Sequence, residues 1–471
     1  MFDEENDDNF EADFHEQLAA LDAMYINDNY TYLDPENIEF LLDHLLISNQ
    51  IKKAKWLTEK SLEHFPQNSL FSIRLAQIHS LQGDFTIALK ILMRIEQLEP
   101  LNLDVLVGLA TCYSQLKNSD LSIKYYRKAY EVAGLEEKED VAIDFAIELE
   151  KKEEYKMAIS LLEQAINDIG ISESIVYEIA HCYEKLNEYD KAVQCFLDYI
   201  DDNPYSYMSW YNLGNTYSKI GNSEKAIWAY EYTIVIHEDF IPALYSLATA
   251  HFDADNIEEA LESFYKCLEI DDKDPIILCS IGECHEELGD LEAAYDYYSQ
   301  SCELMPNLGE AWLGRAIVSK LLGMFPRAIQ EIKLAIDIDG NNPEYWETLG
   351  DIYQSDFQME LASEAYKNAF ELAPFDDNII EEYLLHLLNN ESIEQLLGAF
   401  DHPLMDNKGV AKIIYCYAKW KNGDQTESLL IFDELLQEDI KYAKKFFSFF
   451  PEMKEESYFW NLMEEFKKRN K

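Results

Sequence analysis

Histidine and cysteine are the residue types here with which a protein could hold a metal or run nucleophilic chemistry, so their spacing comes first. His79, His251 and His285 stand apart in the chain, and His181 adjoins Cys182, the pairing a zinc site or a thiol–imidazole couple would need. Each of them, however, falls on a recurring place of a longer pattern. Tyr113, Tyr183, Tyr217 and Tyr353 occupy the place held elsewhere by His79, His251 and His285, while Cys112, Cys182 and Cys284 share the place just before it. Side chains that alternate with tyrosine at a repeated position are expected to be packed, and buried thiols of that kind are inert. No P-loop, GxGxxG, HExxH or GxSxG is present, and the Asp/Glu pairs are scattered without forming an acid–base dyad. We therefore expect no catalytic residue, metal ligand or cofactor, and a chain that is not an enzyme.

The elements that position these residues are set by a period. Ala54, Ala88, Ser122, Ala158, Ala192, Ala226, Ala260, Ala294, Ala328 and Ala362 lie 34 residues apart, with a single 36-residue step between Ser122 and Ala158. A fixed period of this length marks one supersecondary unit stacked many times. With the alanine numbered 20, units start at residues 35, 69, 103, 139, 173, 207, 241, 275, 309 and 343. Position 8 is then small in nine successive units, from Ala76 and Ala110 to Gly214, Gly282 and Gly350. Two antiparallel helices that cross closely need small residues at the crossing, because larger ones force the axes apart. Bulky residues follow on helical stripes, such as Leu213 and Ile281 at position 7 and Tyr230, Tyr298 and Tyr366 at position 24. Gly83, Gly221, Gly289 and Gly323 fall at position 15, where a turn separates the helices, and Pro66, Pro100, Pro204, Pro306 and Pro374 fall at position 32, where the second helix ends.

The run from Trp210 through Leu213, Gly214, Tyr217 and Gly221 to Ala226 and Tyr230, with Trp312 and Trp346 at the same position as Trp210, resembles the tetratricopeptide repeat. The resemblance covers roughly 340 residues, and ten units share one register. It implies an all-α fold, a right-handed superhelical solenoid of helix-turn-helix repeats, whose first helices line a concave groove for peptides or partner helices. The departures are Arg315 at an apolar position 7, Ser122 in place of alanine, and two extra residues within 134–139. The expected organisation is an acidic segment with an amphipathic capping helix over 1–34, ten repeats over 35–376, and degenerate helical repeats with a C-terminal cap over 377–471. Gly423 and Ser428 sit where positions 15 and 20 would fall in a unit starting at 409.

Composition narrows the partners. Lys and Arg total 38 against 91 Asp and Glu, a formal net charge of −53, which repels phosphate backbones and anionic lipids. Nucleic acid is excluded on that ground, and no apolar run approaches the ~18 residues of a membrane span. The first cation after Met1 is Lys52, so the positive region of a signal peptide is lacking, and eight cysteines without a CxxC pair suit a reducing compartment. A cytoplasmic location is expected.

What remains is the first-helix face away from the core, at positions 2, 5, 6, 9 and 12. Position 5 reads Tyr177, Tyr211 and Tyr245 in successive units, beside Glu178, Asn212 and Ser246 at position 6 and His181, Asn215 and Thr249 at position 9. Tyrosine offers apolar contact with a hydroxyl, and an asparagine amide can bond both main-chain groups of an extended peptide. Further on the face turns acidic, with Glu283, Glu286 and Glu287, then Glu310, then Glu344, Glu347 and Asp351. The expected partner is a protein or peptide with aromatic or apolar residues near Tyr211 and basic ones along the acidic stretch, held by a scaffold or adaptor. The family's carboxylate clamp for chaperone tails needs cationic groups in the groove, and only Asn215 matches it. Residues 1–51 hold 14 acidic residues and no Lys or Arg, yet Phe10, Phe14, Leu18 and Leu21 recur at helical spacing. That segment is expected to cap the stack; the alternative is an autoinhibitory plug for the groove or a motif docked on another protein. The first nine residues are expected to be disordered.

Overall fold

In the computed structural model, residues 16–390, 392–402, 405 and 409–469 are described. They are helical with no strand among them. First helices of the repeats begin at Pro35, Ser69, Leu103, Lys138, Glu173, Tyr207, Ile241, Pro275, Gly309 and Pro343, one residue early at Lys138 and otherwise at the starts set by the alanine period. Six of these N-termini are closed by the side chain before the start: Asn68, Asn102, Ser172, Ser206, Asp274 and Asn342 each accept a hydrogen bond from a first-turn N–H.

Each pair turns through one left-handed residue at position 15. Gly83, Gly221, Gly289 and Gly323 hold φ between 73° and 82°, and where glycine is absent Asn49, Lys117, Glu153, Asn187, Asp255 and Phe357 adopt φ from 56° to 62°. The turn therefore demands this conformation in all ten repeats, whichever residue is present, and a Cβ there costs about 1 kcal/mol. Tryptophan at position 4 has an equally local task. The indole N–H groups of Trp210, Trp312 and Trp346 donate to the carbonyls of Pro204, Pro306 and Gly340 at 2.9–3.0 Å, pinning the incoming loop to the helix it feeds.

The helix crossing is built from a matched pair. A Cβ on Gly214 would stand 2.5 Å from the Tyr230 ring, one on Gly282 2.9 Å from Tyr298, and one on Gly350 2.8 Å from Tyr366. Glycine at position 8 thus accommodates tyrosine at position 24 in three repeats; a fourth combines Ala110 with Tyr126, and Ala146, Ala180, Ala248 and Ala316 share their repeats with Leu162, Phe196, Phe264 and Ile332 at position 24. Arg315, the polar residue at an apolar position, lies 3.0 Å from buried Glu331, outside hydrogen-bond geometry but within ion-pair range. Glu331 also accepts from Tyr295, Ser319 and Arg327, and the Arg315 guanidinium lies 4.1 Å from the Trp312 ring centre.

The chain divides into two compact units between Ile236 and His237. In the first, a helix over 16–26 places Leu21 at 0% exposure in a cluster with Leu41, Leu42 and Leu57, with Leu18 packed beside it. Asp22 pairs with Lys53, and Asp28 accepts from the Trp56 indole at 2.8 Å. Phe10, Phe14 and the first nine residues lie outside the described residues. In the second unit, Gly409–Lys421 and Gln425–Glu438 form a further helix pair, turned at Gly423 (φ 94°) with Ser428 fully buried, and Phe432, Phe446 and Phe459 meet in mutual ring contact beyond it.

Candidate functional site

The histidines and cysteines take packing roles. Cys112, Cys182 and Cys284 are buried, and burial pushes their thiols up, to about 12 for Cys284. Thiols held protonated in this way are poor nucleophiles. His79 lies 3.4 Å from Asp84, and His285 stacks on Tyr297 while its Nε2 sits 2.9 Å from the Tyr265 hydroxyl. Among the described residues no group of three or more His, Cys, Asp or Glu is arranged to hold a metal.

In the first unit, helices Glu173–Lys185 and Tyr207–Lys219 bring Tyr177, His181, Asn212 and Asn215 around one small recess of about 70 Å³, closed below by Phe196. Tyr177 is 43% exposed and its ring stacks with His181 at 6.2 Å. Tyr211 is half-buried and tilts against Tyr230 at 5.9 Å, so part of its ring fills space between the helices of its own repeat. The hydroxyl of Tyr230 donates to Asn215 Oδ1 at 2.8 Å, which fixes the amide and leaves its N–H groups as the donors of that side chain. Glu178 is different in kind. Burial, with the Glu150 carboxylate beside it, raises its carboxyl to about 7, and His181 Nε2 lies 3.4 Å from the same Glu150. The recess is large enough for ordered water or a small amide group and too small for a long side chain.

In the second unit, Tyr245 is half-buried and meets Phe264 edge-on at 5.6 Å, Ser246 is half-buried, and the exposed Thr249 donates to the Tyr245 carbonyl at 3.0 Å. Glu283, Glu286 and Glu347 all have carboxyls raised by desolvation and then by neighbouring carboxylates, Glu286 and Glu310 around Glu283, Glu287 beside Glu286, and Asp351 and Glu382 around Glu347. Two tyrosines and one lysine relieve the crowding: Tyr298 donates to Glu286 at 2.9 Å, Tyr366 to Asp351 at 2.7 Å, and Lys320 reaches Asp351 at 2.9 Å. Glu287 is exposed.

Sequence reasoning centred the face on 173–274 and passed over a larger cavity, about 390 Å³, on the same helix positions of the repeats from 69 to 144. Its signal was present: Gly108 stands at position 6, where Arg74 and Asp144 stand in the flanking repeats, and the two-residue insertion closes the same repeat.

Models of the tetratricopeptide repeat match residues 103–134, 174–204, 241–274, 276–308 and 343–376, and a second such model matches 195–227. No curated protein matches the chain. Among solved structures, a thermophilic tetratricopeptide repeat protein of Thermus thermophilus is 23% identical over 39% of this chain and 100% of its own, with a TM-score of 0.35. A tetratricopeptide repeat protein from Parabacteroides merdae is 17% identical over 53% of this chain and 98% of its own, with a TM-score of 0.44. The Cut9–Hcn1 hetero-tetramer of APC/C is 14% identical over 81% of this chain and 96% of that one, with a TM-score of 0.41. No helix among the described residues is long and apolar enough to cross a membrane. With ten helix pairs in a single register and repeat models matched along the array, the chain belongs to the tetratricopeptide repeat family.

Proposed function

We propose that this protein is a non-catalytic scaffold that holds an extended segment of a partner protein against the face formed by positions 2, 5, 6, 9 and 12 of its first helices. Tetratricopeptide repeats are protein-interaction modules, and a stack of paired helices offers a surface without bond chemistry. The observation that carries the reading is the tethering of Asn215: its carbonyl oxygen is held by Tyr230, so its amide is set in advance to donate, beside the exposed ring of Tyr177. A donor fixed before binding loses little freedom when a peptide carbonyl arrives. The carboxylates at Glu283, Glu286, Glu287, Glu347 and Asp351 favour a guest with basic residues, since a cation offsets the burial and the mutual repulsion that hold Glu283, Glu286 and Glu347 above their usual range.

The test begins with peptides selected on the full chain from a displayed random library. Replacing Tyr211 and Tyr245 together by alanine is expected to weaken the selected peptides about tenfold or more, and raising salt from 50 to 500 mM is expected to weaken the basic ones further. Unchanged affinity in the double variant would remove the tyrosine face from the binding surface. The helix over 16–26 is packed on its own first repeat through Leu18 and Leu21, which supports a capping role for that segment.

A further inference from the structure

Two irregularities of the repeat meet at one place in the first unit. Gly108 leaves position 6 without a side chain, and the insertion ahead of Lys138 carries Glu137 into the turn bordering the same space. The cavity there, about 390 Å³, falls in the ~300–1,000 Å³ range of sites that enclose ligand groups. Its floor is apolar, made by Ile73, Leu92 and Val107, and Leu92 reaches within 3.0 Å of where a Cβ on Gly108 would stand. Its rim is acidic, made by Asp104, Glu137, Asp140 and Asp144, none of which makes an ion pair among the described residues. Arg74 is the one cation lining it, and its terminal nitrogens are engaged, with Asp43 2.6 Å away and Gln77 accepting at 3.0 Å, while its buried Nε has no hydrogen-bond partner among the described residues. Burial, and then Asp140, hold the Asp144 carboxyl above its usual range, the state an incoming cation would reverse.

We propose that this cavity is a docking pocket for an arginine or lysine side chain carried next to a large apolar residue on a segment of a partner protein. An alkyl stem ending in a cation matches an apolar floor under an acidic rim, because the methylenes leave water while the charged head stays among carboxylates. The space exceeds one such side chain, and the floor left over is apolar, which asks for a hydrophobic neighbour in the guest. An acidic or phosphorylated guest would meet four carboxylates and be repelled. The proposal rests on the scaffold reading above and adds where on the face the guest is anchored and by what chemistry.

A randomised heptapeptide library displayed on phage and selected on the full chain tests it. Wild type is expected to enrich Arg or Lys beside Leu, Ile, Met or Phe, and synthetic copies of the selected peptides are expected to bind the Asp140→Asn/Asp144→Asn variant about ten- to a hundredfold more weakly. Gly108→Leu, which fills the cavity without altering its charge, is expected to weaken them similarly; circular dichroism and a melting curve establish that it folds, and if it does not, the Asp140→Asn/Asp144→Asn result decides. Enriched peptides without a basic residue, or peptides indifferent to Asp140→Asn/Asp144→Asn, overturn the pocket. If those indifferent peptides do lose affinity for Tyr211→Ala/Tyr245→Ala, the pocket falls while the scaffold reading stands; if no peptide is selected at all, both fall.

Discussion

One repeat in each unit uses the same positions for different electrostatics. In residues 207–236 a tyrosine hydroxyl at position 24 holds an amide at position 9, Tyr230 on Asn215; in residues 343–372 the same hydroxyl at the same position holds a carboxylate, Tyr366 on Asp351. Backbone, crossing and tether are unchanged, and one side-chain substitution turns a neutral donor into a negative acceptor. The character of each stretch is thus set by positions 6 and 9, with the helix pair acting as an indifferent frame.

The comparison would break most visibly if acidic residues of the second unit were all of one kind. Glu331 is the exception, buried and shared by Arg315, Arg327, Tyr295 and Ser319. Glu331→Ala is expected to destabilise the second unit by about 3 kcal/mol or more, because it strands Arg315 without its counter-charge; urea unfolding of the full chain reads this as an early loss of helix. Next in size is the crossing. Gly214→Val is expected to cost about 3 kcal/mol at most by forcing Tyr230 aside, whereas Gly108→Ala, opposed only by the flexible tip of Leu92, is expected to gain a few tenths to about 1 kcal/mol from helix propensity. If the two glycine substitutions behaved alike in thermal melts, the tyrosine match would be irrelevant to packing.

Titration sharpens the contrast further. The folded chain raises Glu178 from its usual 4.5 to about 7 through burial and Glu150. Below pH 4.5 folded and unfolded chains both keep that proton; between 4.5 and 7 only the folded one does, so the folded state loses stability as pH climbs through this window and carries the full penalty above it. Glu178→Gln is therefore expected to stabilise by about 1 kcal/mol at pH 8 and to do little at pH 4, solvent exposure of the group limiting the size. A gain at pH 4 equal to that at pH 8 would assign the effect to something other than charge. The smallest effect expected is at Phe357, 85% exposed with φ 61°: Phe357→Gly should stabilise by about 0.5 kcal/mol by relieving the left-handed strain.

Helix positions were readable in the sequence because the crossing and the turn impose residue-level demands. Alanine at 20, small residues at 8 and apolar stripes at 7 and 24 gave helix starts that the structure matches, apart from Lys138. The turn was only half readable: four glycines marked it, but Lys117, Glu153 and Phe357 adopt the same φ with no signature of their own, the neighbouring helices compelling what the residue itself disfavours. The face was harder. Spacing put Tyr177, His181, Asn212 and Asn215 on common positions, and they do share a recess. What spacing could not report was depth, since a cavity depends on which side chains are missing. Gly108 reads as one more small residue until Leu92 is seen rising toward it. Arg315, an apparent flaw at an apolar position, became intelligible only with Glu331 sixteen residues on, in the facing helix.

The glycine–tyrosine match also bears on how such arrays can be rearranged. Gly214 and Tyr230, like Gly350 and Tyr366, lie inside one repeat, so either repeat could be duplicated or exchanged as a cassette with its fit intact. Tyr298 is wedged against Gly282 of its own repeat and against Gly314 of the next. Those two repeats are best transplanted as a block, since a Cβ at either glycine would stand within 3.0 Å of the Tyr298 ring where it now lies.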